Sequence, residues 1–280
     1  MIEKVTAIVA DIDGTLVNKG EMIMPVTMQA LEKLHKKGVL IGLSTGRKIN
    51  KFMMERARDW HLSFNFDLII GMNGGQLWDK DHAEIESYYL LEKDTMKEIL
   101  DRMAPLKLNS MIYEEDHMVA LYFDELINAS MRRNHMDVIV TEGDKDRLCV
   151  RPNYNVLFRF DPERSEEVQK FAESLTCEKY NAIMTSPGII EFMDPRVNKG
   201  MALHKYSERN NIPINEIMAF GDMDNDKEML KEAGWGVCLV NGSDASKAMA
   251  DCITEYPCTE DGMGRWLETY VLDGSVKLGR

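Results

Sequence analysis

The chain alternates between short, mostly apolar runs and longer stretches in which apolar residues recur every three or four positions. Residues 5–10, 39–43 and 67–70 are runs of the first kind, too short for helices and without polar alternation, so each predicts a strand buried on both faces. Residues 27–37 and about 48–60 have helical spacing, and the first of these stops at Gly38, a natural C-terminal signal. Strand, helix, strand, helix, strand predicts a parallel sheet with helices on its faces.

Beyond MNGGQLW the pattern changes. A hairpin is expected around residues 79–88 and a helix over 94–106. The alternating strands SMIYEE and HMVALYF follow, joined by a turn at Glu115 and Asp116. Next come VLFRF, a helix over 162–175, and a second hairpin, CEKYNAIMTS with GIIEFM, turning at Pro187 and Gly188. Strand pairs with intervening helices predict an antiparallel sheet covered on one face. The wound pattern resumes at Asn198, with the helix NKGMALHKYSERN, the strand EIMAF, the helix KEMLKEA, the strand GWGVCLV, the helix DASKAMA and a closing helix over 262–270. The expected fold is α/β: a Rossmann-like parallel sheet core in two segments, 1–81 and 189–280, with an α+β cap domain inserted over 82–188.

Composition narrows the partners. A chain of 280 residues with 44% hydrophobic and 29% charged residues is an ordinary soluble protein with room for a real core. Its formal net charge of -13, with the basic residues dispersed, disfavours nucleic acid and anionic membranes, which both reward a cationic face. A small phosphorylated substrate is still compatible, because one metal ion or a few local cations outweigh a distant surplus of negative charge. The five cysteines show no metal-binding spacing, which fits free thiols in a reducing cytoplasm. No apolar run approaches the roughly 20 residues of a membrane span. The first apolar run is cut short by Asp11 and Asp13, so no signal peptide is expected. The 21 methionines are scattered and read as core filling.

Four motifs fall at predicted strand ends, where wound α/β sheets gather their ligands. These are DIDGTL after the first strand, STGR after the second, MNGG after the third and GDMDND after EIMAF. Asp11 and Asp13 sit two residues apart and can point the same way, a crowding that calls for a cation or a shared proton. GDMDND spells DxDxD, but a calcium loop counted from Asp222 requires Gly and Glu where Lys227 and Ala233 stand. A few carboxylates with open positions for water and phosphate suit Mg²⁺ better. STGR reads equally as a helix N-cap or a phosphate cradle. Lys199 opens a helix between the inserted module and the core. The six histidines form no HxH or HExxH pattern, the Arg132–His135 run reads as a solvated helix face, and GDKDR reads as a turn.

With these stations in order, the chain resembles the haloacid dehalogenase superfamily of phosphotransferases, most closely its Cof-type phosphatases. DIDGTL looks like the family's first motif, STGR its second, Lys199 in VNKGMAL its third and GDMDND its fourth. The position of the inserted module matches a C2-type cap. The resemblance implies that Asp11 is a nucleophile that becomes an aspartyl phosphate and that Asp13 is the acid and base. Mg²⁺ would be held by Asp11, the Asp13 backbone carbonyl and Asp222, with Asp226 ligating through water or orienting Lys199. Ile12, Thr45, Gly46, Lys199 and Asn225 would hold the phosphoryl oxygens.

The activity expected from this resemblance is Mg²⁺-dependent hydrolysis of a small phosphate monoester, such as a sugar phosphate or phosphorylated cofactor, by a cytoplasmic monomer or homodimer. The cap would close over the site and exclude bulky substrates. A phosphomutase on the same scaffold and a non-catalytic phospholigand-binding protein are the alternatives.

Overall fold

A computed structural model describes residues 3–18 and 22–279. Gly20, which punctuates the connection ahead of the first helix, lies outside the described residues. Two compact units emerge, Met1–Glu86 with Asn198–Arg280, and Ser87–Val197.

The first unit is built on a mixed sheet whose spatial order is Cys252–Ile253, Trp235–Cys238, Ile217–Gly221, Ala7–Asp11, Leu40–Ser44, Leu68–Gly71 and Gln76–Asp79, with the short Glu86–Ser87 at the far edge. Neighbours from Cys252–Ile253 through Leu68–Gly71 run parallel, and Gln76–Asp79 returns antiparallel. The four central strands are buried along their whole length, which is why each reads as a continuous apolar run. From Ala7–Asp11 the chain winds outward to Leu40–Ser44, and only much later places Ile217–Gly221 on the other side. That reversal opens a crevice beyond the carboxyl ends of Ala7–Asp11 and Ile217–Gly221.

Ile8, Ala10, Leu43, Met218 and Phe220 share one core with Leu31 and Leu34 of the helix Pro25–Lys36 and Trp266 and Leu267 of the helix Gly262–Tyr270. The two helices touch so closely that a Cβ on Gly264 would overlap the backbone of Thr27. Buried Asp261 accepts from the Thr27 N–H and hydroxyl, both at 2.9 Å, and so caps the partner helix from outside its own segment. Gly38 takes φ 85° just past the first helix, as its C-terminal position requires.

The second unit has a six-stranded sheet in the order Asn181–Ser186, Ile189–Met193, Asn155–Arg159, Asn109–Tyr113, His117–Ala120 and Asp137–Val140. Helices Lys93–Met103 and Ser165–Glu173 cover one of its faces around Ile112, Val156, Phe158 and Phe192. Both expected turns are present, at Glu115 and Asp116 and at Pro187 and Gly188, the latter with Gly188 at φ 82°.

Several expectations need correction. The hairpin expected at 79–88 is instead Leu68–Gly71 with Gln76–Asp79, because MNGG itself makes the turn. The helix expected over 48–60 splits into Lys51–Met54, capped by Asn50, and Arg56–Asp59. GDKDR is not only a turn: Asp144 accepts from the N–H groups of Asp146 and Arg147 and caps the short helix Lys145–Leu148. The helix Glu125–Asn134 and the strand Asp137–Val140 complete the second sheet without a strong sequence signal. The inserted unit spans Ser87–Val197 rather than 82–188, because Ile189–Met193 pairs along its length with Asn155–Arg159 and keeps the chain in the second sheet past Gly188.

All five cysteines are free, and no helix of the described residues is long and apolar enough to cross a membrane.

Asp261→Ala should destabilise the first unit by about 1–3 kcal/mol, since it strips two donors of a buried partner. A urea midpoint unchanged from wild type would contradict this cap.

Candidate active site

The carboxyl end of Ala7–Asp11 delivers Asp11, and the turn after Ile217–Gly221 delivers Asp222 and Asp226. Lys199 enters from the first residue of the helix Lys199–Asn210, whose N-terminus is capped by Asn198 accepting from the Met201 N–H at 2.7 Å. A lysine at a helix N-terminus opposes the helix dipole, so compensation must come from elsewhere. Its Nζ donates to Asp11 Oδ1 and to Asp226 Oδ1, both at 2.6 Å, and the side chain is fully buried. The other oxygen of Asp226 accepts from the N–H groups of Asp222 (2.9 Å) and Met223 (3.0 Å). Asp226 is thereby committed to orienting Lys199 and the turn. Asp222 Oδ1 accepts from the Thr15 hydroxyl at 2.7 Å.

Asp11, Asp222 and Asp226 each bring a carboxylate oxygen within 4.8 Å of the others. When all are ionised, three carboxylates against one ammonium leave a surplus of two negative charges in a buried site. Burial, the neighbouring Asp226 and Asp222 push the Asp11 carboxyl well above its ordinary value, against the pull of Lys199. Burial and Asp226 raise Asp222 to about 7. Burial alone would lower the Lys199 ammonium, but Asp11 and Asp226 outweigh it and raise it. An all-oxygen donor set with surplus negative charge fits a hard divalent cation such as Mg²⁺. Asp11 and Asp222 are the side chains with oxygens to offer it, and Asp226 is the poorest direct ligand.

Gly14, at φ 98°, makes this packing possible. A Cβ there would overlap the carboxylate of Asp222. The LVNGSD loop secures both partners: Asn241 donates to the Gly14 carbonyl at 2.9 Å, and the Ser243 N–H donates to the Asp222 carbonyl at 2.8 Å.

The other expected residues divide. The Asp13 carboxylate pairs with Arg47, whose Nη2 donates to Oδ2 at 2.7 Å and Oδ1 at 2.9 Å. Thr45 directs its hydroxyl to the Arg47 N–H at 3.2 Å and its carbonyl to the Asn73 N–H at 3.1 Å. Gly46 and Asn225 converge on Asn73, whose Oδ1 accepts from Asn225 Nδ2 at 2.9 Å and lies 3.1 Å from where a Gly46 Cβ would stand. The side chain of Ile12 joins the core and its carbonyl closes the turn to Leu16 and Val17, so any phosphoryl contact would come from its backbone.

Two residues were missed. Arg47 ends STGR, and the parallel register pairing Asp11 with Ser44 carries it alongside Asp13. Its place at the end of STGR was the only signal the sequence carried. Asn73 adopts φ 53° after Met72 at φ 50°, two left-handed residues in succession at a strand end. The Asn-Gly pair in MNGG was its signal.

A family model described as haloacid dehalogenase-like hydrolase matches residues 8–267. Among curated proteins, 5-amino-6-(5-phospho-D-ribitylamino)uracil phosphatase YitU of Bacillus subtilis is 27% identical over 268 residues, covering 94% of this chain and 96% of the relative. An HMP-PP phosphatase of Yersinia enterocolitica is 24% identical, with 93% of each chain covered. Among solved structures, a haloacid dehalogenase-like hydrolase from Bacteroides thetaiotaomicron superposes with a TM-score of 0.79 at 23% identity, covering 95% of this chain and 99% of that one, a likeness of fold. With the family match running through both segments of the sheet and all four strand-end motifs, this chain belongs to the haloacid dehalogenase-like hydrolase family, in its Cof-type phosphatase branch.

Proposed function

We propose that this protein hydrolyses a small-molecule phosphate monoester, with Mg²⁺ as cofactor and an aspartyl phosphate on Asp11 as the intermediate. The observation that carries this reading is the buried Lys199 ammonium held between Asp11 and Asp226, with Asp222 adding a further carboxylate whose charge a cation would offset. The two curated relatives act, by their names, on 5-amino-6-(5-phospho-D-ribitylamino)uracil and on HMP-PP. The substrate class carried to this chain is correspondingly a small phosphorylated metabolite.

In the first half of the reaction, Lys199 engages Asp11 Oδ1 and leaves Oδ2 to attack phosphorus. The bond between phosphorus and the ester oxygen breaks as the bond to Asp11 forms, and Asp13 gives the departing oxygen its proton. In the second half, Asp13 takes a proton from water as that water attacks phosphorus and frees Asp11. Lys199, Thr45 and Asn225 orient the phosphoryl oxygens, since phosphoryl transfer depends chiefly on positioning and charge stabilisation. Asp11, Asp222 and the Asp13 backbone carbonyl would hold Mg²⁺, which would neutralise phosphoryl charge. The Asp13 side chain stays available for protons because its charge is not needed in the acidic cluster.

Asp11→Asn should reduce phosphate release from a metabolite panel by on the order of 10³-fold or more while the protein remains folded. Phosphate release by that variant at near wild-type rate would remove Asp11 from the nucleophile's role.

The metal reading has a pH signature. Asp222 sits at about 7 against an ordinary 3.8. Its retained proton therefore favours the fold below the ordinary value, and this contribution is lost as pH rises through about 7. Mg²⁺ needs the ionised acids, so the rise in Tm on adding Mg²⁺ should grow from about pH 5.5 to about pH 8. A rise that is constant or shrinks over that range would contradict a cation held by these acids.

A further inference from the structure

We infer that Arg47 is a positioning residue for proton transfer: by holding the carboxylate of Asp13 it fixes where that group delivers and collects its proton. The inference rests on the phosphatase reading above, with Asp13 as acid and base.

Sheet register brings the two residues together. Asp11 and Ser44 are paired on neighbouring parallel strands, so the turns that follow lie side by side. Arg47 is itself anchored at both ends of its backbone unit. Its N–H donates to the Thr45 hydroxyl at 3.2 Å, and its carbonyl accepts from the Met72 N–H at 2.9 Å. The pair is shielded as well, with side-chain exposures of 12% for Arg47 and 23% for Asp13, so water screens it less than a surface ion pair.

The geometry of the pair is unusual for a purely structural bond. Arginine commonly grips a carboxylate with two parallel N–H donors. Here Nη2 alone reaches both oxygens, and the buried Nε has no partner among the described residues. Bonding of one nitrogen to both oxygens fixes where the carboxylate sits, which suits a group that must give up a proton and later take one back at the same place.

A second guanidinium reinforces the field. Arg56 lies over the rings of Phe52 at 4.7 Å and Trp60 at 4.6 Å, and burial together with the charge of Arg47 lowers its pKa. This second cation adds to the positive charge around Asp13. Arg47 exchanges no proton itself, because guanidinium remains charged throughout. In the first half-reaction the Asp13 proton passes to the leaving oxygen as the phosphorus–oxygen ester bond breaks. In the second, Asp13 accepts a proton from the attacking water as the bond from phosphorus to Asp11 breaks.

Leaving-group chemistry separates this role from a merely structural one. p-Nitrophenolate departs without a proton, whereas an alkoxide requires one. The full chain with Mg²⁺ is assayed on p-nitrophenyl phosphate and on an alkyl phosphate that wild type turns over, chosen from a sugar phosphate panel. In Arg47→Gln, kcat on the alkyl phosphate should fall by on the order of 10²-fold or more, with KM changed by less than about 3-fold. A burst of one p-nitrophenolate per enzyme should persist, followed by slow turnover as dephosphorylation of Asp11 waits for its base. Introduced into Asp13→Asn, Arg47→Gln should cost less than about 3-fold more, since both act on one step. Arg47→Lys, which keeps the charge but loses the planar donor set, should fall between and serves the same comparison if Arg47→Gln unfolds.

Equal losses on both substrates with the burst abolished, or fully additive losses in the Asp13→Asn background, would overturn the inference. Absence of turnover of any phosphomonoester by wild type would instead remove the phosphatase reading itself.

Discussion

The ammonium of Lys199, sealed from solvent between Asp11 and Asp226, is the contact on which the first unit depends. Burying a lone charge is prohibitive, and breaking a buried pair by removing one partner commonly costs about 3–5 kcal/mol. The pair with Asp11 spans 188 residues of chain. It therefore ties the two separate segments of the sheet together at the point where their strands reverse order. The same contact sets the electrostatics of the crevice, because one ammonium cannot neutralise three carboxylates.

Around this contact the backbone is shaped to let side chains approach. Gly14 gives way to Asp222, and Gly74, at φ 106°, lets the MNGG turn lie against the Asn198 carbonyl just ahead of Lys199. Substituents at either position would push apart groups whose interaction depends on separations near 2.6–2.9 Å. The polar residues of LVNGSD and the Thr15 hydroxyl then hold Asp222 without using its remaining oxygen. Positioning is thus distributed over loops from both segments, while the charges themselves come from strand ends and one helix start.

The apolar pattern specifies structure best where one local rule has no competitor. Ala7–Asp11, Leu40–Ser44 and Ile217–Gly221 are buried on both faces, so an apolar run of strand length had a single meaning. It is ambiguous where two conformations fit the same residues. Gln76–Asp79 is a strand because Met72 and Asn73 adopt left-handed conformations and turn the chain back at MNGG, a choice the apolar pattern does not register. The second unit ends later than expected because Ile189–Met193, after the turn at Gly188, pairs with both Asn181–Ser186 and Asn155–Arg159 and so belongs to the second sheet. Among candidate site residues, Asp11, Lys199, Asp222 and Asp226 were legible as charges at strand ends and a helix start. Arg47 was not, since it acquires meaning only from Asp13 beyond a neighbouring strand, and Asn73 showed only as a turn signal in MNGG.

By itself the sequence determined which groups carry charge and where the chain must bend: the acids of DIDGTL and GDMDND, the glycines beside them, and the alternation of buried strand and amphipathic helix. Tertiary structure alone decided how those groups divide. Asp11 and Asp13 differ by two places in the chain and share a motif, yet one faces Lys199 in a buried acidic cluster and the other faces Arg47. The reason is that sequence fixes composition and local turn chemistry, whereas the partner of each carboxylate depends on which strands lie adjacent and in which register. That adjacency is chosen by the packing of the whole sheet.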